Sequence, residues 1–181
     1  MEVIWTDIKG IAILRPRVFT DARGYFFESF NSAEFAEKVG PIEFVQDNES
    51  ASVCGVIRGL HFQKPPFTQA KLVRCTEGRV LDVAVDIRRG SPTYGRHIAV
   101  ELTAEGKEQL FIPEGFAHGF AVLSPRAVFQ YKCSNLYHPE SEGSIAPFDP
   151  DLAIEWPFAP DRAILSGKDM GGGGGGGGGG G

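Results

Sequence analysis

Residues 81–87, LDVAVDI, alternate between large apolar side chains and polar or small ones, and they decide the fold class of this 181-residue chain. Successive side chains of a strand point to opposite faces, so Leu81, Val83, Val85 and Ile87 share one face. Turn signals rich in Gly and Pro separate this strand from its neighbours. Further strands are predicted at 11–14, 24–30, 43–50, 70–76, 96–102, 108–112, 117–123 and 127–134. Many short strands at regular spacing predict an all-β sandwich or barrel.

Helix signals are confined to two places. Asn31 can cap a helix, Glu34 stands three residues on and Gly40 begins the Gly-Pro pair that ends it. A second short helix is predicted within residues 149–154. Residues 138–170, which are rich in Pro and Asp, are expected to wrap the barrel.

The chain is predicted to form a single domain over residues 1–170. Residues 171–181 are an unbroken glycine run without the Ser or charge of a flexible linker. We interpret this run as placeholder residues, so the predicted domain ends at residue 170.

Composition excludes several classes of protein. The net charge is −5 and no long basic run occurs, which argues against a nucleic-acid partner. The longest apolar runs fall far short of the roughly 18 residues of a membrane span, and no signal peptide is visible. Two of the three cysteines lie in apolar strand-like runs, which is typical of reduced thiols in a cytoplasmic protein.

Two blocks each place one histidine among glycines and apolar residues: residues 55–63, GVIRGLHFQ, and residues 112–120, IPEGFAHGF. An imidazole titrates near neutral pH, so His61 can act as a general base. The alternative is a histidine with a purely structural role. The nearby cations Arg58 and Lys71 favour the functional interpretation, because they suit an anionic ligand.

The block around His118 resembles the second motif of the cupin superfamily of small β-barrels. Metal-binding cupins usually carry His-x-His in their first motif, whereas this chain has Gln63 where the second histidine would stand. Zinc and iron sites normally need three or more protein ligands. Neither His97 nor His138 lies near such a pattern, so no metal site is predicted.

Three further residues leave two interpretations open. Lys71 is either a solvated strand-end lysine or a cation beside a developing oxyanion. Asp82 is either an outward-facing polar residue or a carboxylate that orients a histidine. Tyr131 is either a core residue or a proton donor.

Six blocks in order resemble the dTDP-4-dehydrorhamnose 3,5-epimerase family, and the resemblance runs from residue 10 to residue 169. They are 21–29 (DARGYFFES), 44–48 (FVQDN), 58–63 (RGLHFQ), 71–75 (KLVRC), 111–120 (FIPEGFAHGF) and 154–157 (IEWP). The resemblance implies a cupin-like jelly-roll β-barrel with a few short helices. It also implies an enzyme that works without a metal or an organic cofactor.

The implied reaction inverts C3 and C5 of dTDP-4-dehydro-6-deoxy-D-glucose to give dTDP-4-dehydro-L-rhamnose, in the synthesis of dTDP-L-rhamnose. In the resemblance, His61 matches the base, Tyr131 the acid and Lys71 the lysine that steadies the enolate. Asp169 matches a carboxylate paired with the base, and Tyr137 a residue that stacks on thymine. The positions that match substrate contacts are Arg23, Glu28, Gln46, Asp47, Asn48, Arg58, His118, Glu142 and Lys168.

Alternatives remain within and outside that family. Relatives that invert only C3 or only C5 share most of these blocks, and a barrel that binds a nucleotide sugar without turning it over is a further possibility. The family usually forms homodimers with an N-terminal strand contributed across the interface. Because the aromatic run 25–27 is costly to expose, Phe26 or Phe27 is predicted to form the dimer or line the partner's pocket.

Overall fold

Strands dominate the computed structural model, which describes residues 1–166 and the backbone of residues 173–174. The strands are β1 (Glu2–Trp5), β2 (Ala12–Arg15), β3 (Val18–Asp21), β4 (Gly24–Phe27), β5 (Gln46–Val53), β6 (Ile57–Gln63), β7 (Lys71–Glu77), β8 (Arg79–Asp86), β9 (His97–Thr103), β10 (Gln109–Ile112), β11 (Phe116–Val122), β12 (Arg126–Cys133), β13 (Glu142–Ser144) and β14 (Gly173–Gly174). The helix α1 covers Ser32–Lys38, and single 3-10 turns cover Pro139–Ser141 and Pro160–Arg162.

Twelve of these strands form two six-stranded sheets. The first sheet has the order β1-β2-β10-β7-β12-β5 and the second has the order β14-β13-β6-β11-β8-β9. The ladders within both sheets are antiparallel, and most neighbours are distant in sequence. This is the all-β, two-sheet arrangement that the spacing of short strands predicts.

The main core lies between the two sheets and follows from the alternation of their strands. In β12 the side chains of Phe129, Tyr131 and Cys133 point inward and are buried. Phe129 stacks on Phe120 of β11, with ring centroids 4.2 Å apart. Full burial of an aromatic or aliphatic side chain of this size contributes about 1.5–3 kcal/mol, so this face stabilises the pairing of the sheets.

The outer face of the second sheet is also buried. Val83 and Val85 pack there, and Leu81 and Ile87 join them partly buried, as the alternation of residues 81–87 predicts. Residues 145–156 cover this face with Leu152, Ile154 and Trp156. The indole Nε1 of Trp156 donates a 2.6 Å hydrogen bond to the carbonyl of Pro147, which holds the covering segment in place.

The predicted helix at residue 31 is confirmed. The Asn31 Oδ1 accepts the backbone N–H of Glu34 at 3.1 Å, and Phe35 is buried against the outer face of the first sheet. The second predicted helix, within 149–154, is wrong. Those residues form turns in which the Asp149 carboxylate accepts the N–H of Asp151, which competes with helical hydrogen bonds.

The strands β3 and β4 form a hairpin that pairs only with itself among the described residues. Its aromatic side chains are exposed: Phe19 is 52%, Tyr25 63% and Phe26 68% accessible. The predicted strand 24–30 is thus shorter, ending at Phe27, and it belongs to neither six-stranded sheet. An exposed aromatic surface of this kind is typical of an interaction site.

Glycine allows β6 and β11 to approach closely beside the two histidines. A Cβ on Gly59, which has a φ of +128°, would lie 2.5 Å from the Cα of Gly119. A Cβ on Gly119 would lie 2.5 Å from the carbonyl oxygen of Arg58. In the ladder, His118 pairs directly with His61. The glycines of the two histidine blocks therefore set the spacing at which both imidazoles enter the barrel.

Replacing Gly119 with Ala should destabilise the protein, because the added methyl group meets backbone atoms that cannot rotate away. We expect a loss of about 1–3 kcal/mol, seen in thermal denaturation as a fall in Tm of roughly 2–4 °C per kcal/mol. Gly40→Ala is the matched control, since a Cβ there meets nothing within 4 Å. Equal melting temperatures for the two variants would contradict the close approach.

Candidate active site

A polar cavity of about 350 Å³ opens among strands of both sheets. Its walls come from β5, β6, β7, β12 and β13 and from the segment that follows β12. Eight of the predicted site residues line this cavity: Gln46, Asn48, Arg58, His61, Lys71, Tyr131, Tyr137 and Glu142. Residues far apart in the sequence are thus brought to one place.

The strand β5 makes the cavity polar. Its inward positions carry Gln46, Asn48, Ser50 and Ser52, whereas other inward strand faces carry mainly apolar residues. Gln46 donates from Nε2 to Asn48 Oδ1 at 3.0 Å, and Gln46 Oε1 accepts the backbone N–H of Tyr137 at 3.0 Å. These bonds hold the amide side chains in fixed orientations along one wall.

Arg58, near the start of β6, is half-buried and lines the cavity. Its Nε donates a 2.9 Å hydrogen bond to Ser52 Oγ, and Ser52 itself is buried. The bond orients the guanidinium, whose planar fork suits phosphate or carboxylate oxygens.

Lys71 and Tyr131 lie side by side on β7 and β12, both buried, with Lys71 Nζ 5.2 Å from the centre of the Tyr131 ring. Burial lowers the pKa of Lys71, against the opposing effect of Cys133 and of the Asp82 and Glu142 carboxylates. Burial also raises the pKa of Tyr131, against a hydrogen bond with Asn48 that lowers it. The phenol therefore keeps its proton well above neutral pH.

Glu142 is a buried carboxylate on β13 and accepts a 2.6 Å hydrogen bond from the hydroxyl of Tyr137. Burial and this bond raise the pKa of Tyr137 to about 12. The ring of Tyr137 is thereby held at the rim of the cavity as a neutral phenol.

His61 is 4% exposed and lines the cavity from β6. His118 lies opposite His61 on β11, but it is only 1% exposed and does not line the cavity. Its ring centre lies 6.4 Å from that of Tyr131. The Nε2 of His118 lies 2.6 Å from Oδ1 of Asp82, which is fully buried. Of the two interpretations of Asp82, the structure thus shows the one in which the carboxylate contacts a histidine.

Gln63 has a structural role at the position where metal-binding cupins carry a second histidine. Its Nε2 donates to the carbonyls of Phe67 and Leu136, at 2.6 and 3.2 Å, and its Oε1 accepts the N–H of His138 at 2.8 Å. The amide therefore ties two loops together at the cavity. No group of three or more possible metal ligands occurs among the described residues.

Other predicted site residues lie elsewhere in the chain. Asp47 points outward and contacts Lys132 at 3.1 Å. Arg23 is on the hairpin, bound to Asp21 at 2.6 Å, and Glu28 follows the hairpin, exposed to solvent. The predicted residues Lys168 and Asp169 lie outside the described residues. All of these assignments stay predictions.

The cavity combines a buried imidazole, a buried phenol and a buried lysine side chain inside a β-barrel. A base, a proton donor and a cation are the groups that proton transfer beside a carbonyl requires. Fold and site together therefore define an acid–base enzyme of the small β-barrel class.

The chain belongs to the dTDP-4-dehydrorhamnose 3,5-epimerase family, whose model matches residues 5–173. It is 55% identical to the Escherichia coli K12 enzyme of that name over 170 residues, which are 93% of this chain and 91% of the relative. The family prediction and the prediction of an isomerase are confirmed.

Solved structures agree with the family and confirm the cupin-like fold. A Legionella pneumophila 3,5-epimerase in complex with dTDP-4-keto-L-rhamnose superimposes with a TM-score of 0.89 at 51% identity, covering 93% of this chain and 89% of that one. A 3'-monoepimerase from Streptomyces bikiniensis in complex with dTDP-quinovose gives 0.84 at 36% identity, covering 91% and 83%. In the part of the chain that the structure describes, no helix is long and apolar enough to cross a membrane.

The hydrogen bond between Tyr137 and Glu142 leads us to expect that the Tyr137 phenol ionises at an unusually high pH. A difference in phenolate ultraviolet absorbance between the wild type and Tyr137→Phe, followed against pH, should show this tyrosine ionising near its raised pKa of about 12 rather than near 10.0. A second titration in a Glu142→Gln background should bring the transition to lower pH. Ionisation of Tyr137 near 10.0 in the wild type would contradict the described contact.

Proposed function

We propose that this chain inverts both C3 and C5 of dTDP-4-dehydro-6-deoxy-D-glucose, giving dTDP-4-dehydro-L-rhamnose. The observation that supports this most is the convergence of His61, Lys71 and Tyr131 in one buried polar cavity. The high identity to 3,5-epimerases over nearly the whole chain supports the same reaction.

The reaction depends on the C4 ketone of the sugar, which acidifies the protons on its two neighbouring carbons. His61 removes one of these protons, and the electron pair of the broken C–H bond moves to the ketone oxygen as an enolate. A proton returned to the opposite face of the same carbon inverts it. Once His61 has released its proton to solvent and the proton donor has regained one, repetition at the second carbon completes the double epimerisation. Positioned acid–base groups of this kind contribute on the order of 10²–10⁴-fold each.

Lys71 and Tyr131 serve the two halves of that step. The buried ammonium of Lys71 can stabilise the enolate oxygen strongly, because no bulk water screens it. The burial that raises the pKa of Tyr131 keeps its hydroxyl protonated, so it can donate to the carbanion carbon. Neither role requires a metal or an organic cofactor. We therefore propose a reaction that uses neither.

We propose that the nucleotide part of the substrate binds at the polar rim of the cavity. Arg58, oriented by Ser52, suits the diphosphate oxygens. The ring of Tyr137 offers a flat surface for thymine stacking. The Legionella pneumophila relative, crystallised with dTDP-4-keto-L-rhamnose, supports a ligand of this class.

A single-position epimerase is the second candidate, because the Streptomyces bikiniensis 3'-monoepimerase shares the fold with a TM-score of 0.84. Identity separates the two candidates. The chain is 36% identical to that enzyme but 55% identical to the Escherichia coli 3,5-epimerase. We therefore favour inversion at both carbons.

Incubation with dTDP-4-dehydro-6-deoxyglucose in heavy water tests the function. We expect deuterium at both C3 and C5, since each inversion exchanges the carbon-bound proton with solvent. Proton NMR and mass spectrometry of the sugar give the positions. Label at one carbon alone would assign the chain to the single-position branch, and no label at either would reject the proposal.

Two variants separate chemistry from binding in that assay. His61→Ala should lower the exchange by at least roughly 10²-fold while dTDP still binds, because only the base is lost. Arg58→Ala should instead weaken dTDP binding by about 10–100-fold, the loss of a charge-assisted hydrogen bond. Full exchange in His61→Ala would rule out this residue as the base.

We also propose a homodimer in which the hairpin of one protomer completes the cavity of the other. The hairpin exposes Phe19, Tyr25 and Phe26, and it carries the predicted substrate contact Arg23 outside its own protomer's cavity. A partner subunit would bury the aromatic surface and deliver Arg23 to a second cavity. A cytoplasmic location, proposed with it, fits the two buried free thiols Cys75 and Cys133.

Mixing two inactive variants tests the exchange of hairpins. Arg23→Glu damages only the hairpin, whose Arg23 side chain is 90% exposed, and His61→Ala damages only the cavity. A mixed dimer has one intact site, so remixing should restore roughly a quarter of the wild-type activity. Arg79→Glu, at an exposed site on β8, should be active alone. No restoration would mean that each hairpin serves its own protomer.

A further inference from the structure

Asp82 is a charged side chain placed where a charge is costly. It is fully buried on the inward face of β8, and within residues 1–166 its Oδ2 has no hydrogen-bond partner. An unsatisfied buried carboxylate oxygen lowers stability, and an apolar side chain of similar size would avoid that cost. Its one described contact of hydrogen-bonding length is the 2.6 Å approach of Oδ1 to His118 Nε2.

We propose that Asp82 is a positioning residue for the epimerisation: it holds the proton of His118 at Nε2, so that this imidazole enters the reaction in one tautomer and one orientation. The inference rests on the proposed function. A carboxylate accepts but does not donate when ionised, so the partner nitrogen must carry the proton. Fixing one tautomer in this way is the usual role of a carboxylate beside a working histidine.

The position of His118 explains why its orientation would matter for the reaction. The imidazole lies opposite His61 across the β6–β11 ladder and behind Tyr131, so its orientation affects both groups that exchange protons with the sugar. The titratable groups that face the Asp82–His118 pair come from three neighbouring strands: His61 on β6, Lys71 and Cys75 on β7, and Tyr131 on β12. Cys133 and Glu142 lie one step further out, where they act on Lys71 and Tyr131.

Asp86 provides an internal comparison, because it lies on the same strand with the same complete burial. Its carboxylate accepts bonds from Arg88, Ser91 and Thr93, and these outweigh burial and lower its pKa. A lowered pKa in the folded state means that the ionised group adds stability above its ordinary pKa, and that this stability is lost as pH falls.

The pKa of Asp82 is shifted in the opposite direction. Burial raises its pKa against the opposing effects of His118 and Lys71. The folded state then holds the proton more tightly than the unfolded state, so the stability contributed by this group is lost as pH rises. In its ionised form Asp82 therefore lowers stability, whereas ionised Asp86 raises it. A buried carboxylate that lowers stability in this way is explained by function rather than by folding.

The matched variants Asp82→Asn and Asp86→Asn test the proposal in the full-length enzyme. Asp82→Asn should lower kcat on the order of 10²-fold, with a smaller change in KM and an unchanged or higher Tm at neutral pH. Asp86→Asn should lower Tm by roughly 5 °C, with kcat per folded molecule unchanged. Wild-type kcat in Asp82→Asn would overturn the proposal, as would an equal loss of Tm in both variants.

Nitrogen-15 NMR of the histidine side chains in the wild type gives a readout that does not depend on turnover. The His118 signals, assigned by their loss in His118→Gln, should show the proton on Nε2. A proton on Nδ1 alone would overturn the proposal. If the wild type incorporates no deuterium into the sugar, the proposed function fails, while this measurement still decides whether Asp82 holds His118.

Discussion

The close approach of β6 and β11 at Gly59 and Gly119 is the constraint on which the site depends. Without side chains at these positions, the two backbones come near enough for His61 and His118 to face one another from neighbouring strands. The inward face of the second sheet then carries two imidazoles and Asp82 among its apolar residues. The rest of the barrel supplies the burial that gives those groups their chemical character.

Burial acts on the site in two directions. It lowers the pKa of Lys71 and raises those of Tyr131 and Asp82, so each group loses stability in its charged form. The same exclusion of water strengthens the interaction of Lys71 with a negative charge formed nearby. The apolar core between the sheets and the covered outer face of the second sheet contribute the stability that offsets this cost.

Local patterns in the sequence predict much of the fold. The alternation of residues 81–87 specifies the apolar face of β8, and Asn31 correctly marks the start of α1. Signals fail where a short polar side chain hydrogen-bonds its own backbone, as Asp149 does in the segment predicted as a helix. The aromatic run 25–27 predicts a strand, but its pattern does not reveal that this strand pairs with β3 and with neither sheet.

The site likewise has features that the sequence predicts and features that it does not. Residue types and their blocks predict the groups that line the cavity, since His61, Lys71 and Tyr131 all lie there. The pairing of Asp82 with His118, and the loop-tying role of Gln63, depend on which strands are neighbours, and one strand's pattern does not contain that information. The outward orientation of Asp47 follows from the alternation of β5, in which Gln46 and Asn48 face the cavity and Asp47 faces the opposite side.

A crystal structure with an unreactive dTDP-linked keto-sugar analogue bound would test the proposed chemistry most directly. It should show C3 and C5 of the sugar between His61 and Tyr131, with the C4 oxygen beside Lys71 Nζ. A sugar ring bound outside this cavity, or oriented with its C4 oxygen away from Lys71, would contradict the assignment of these three residues as base, acid and enolate-stabilising cation.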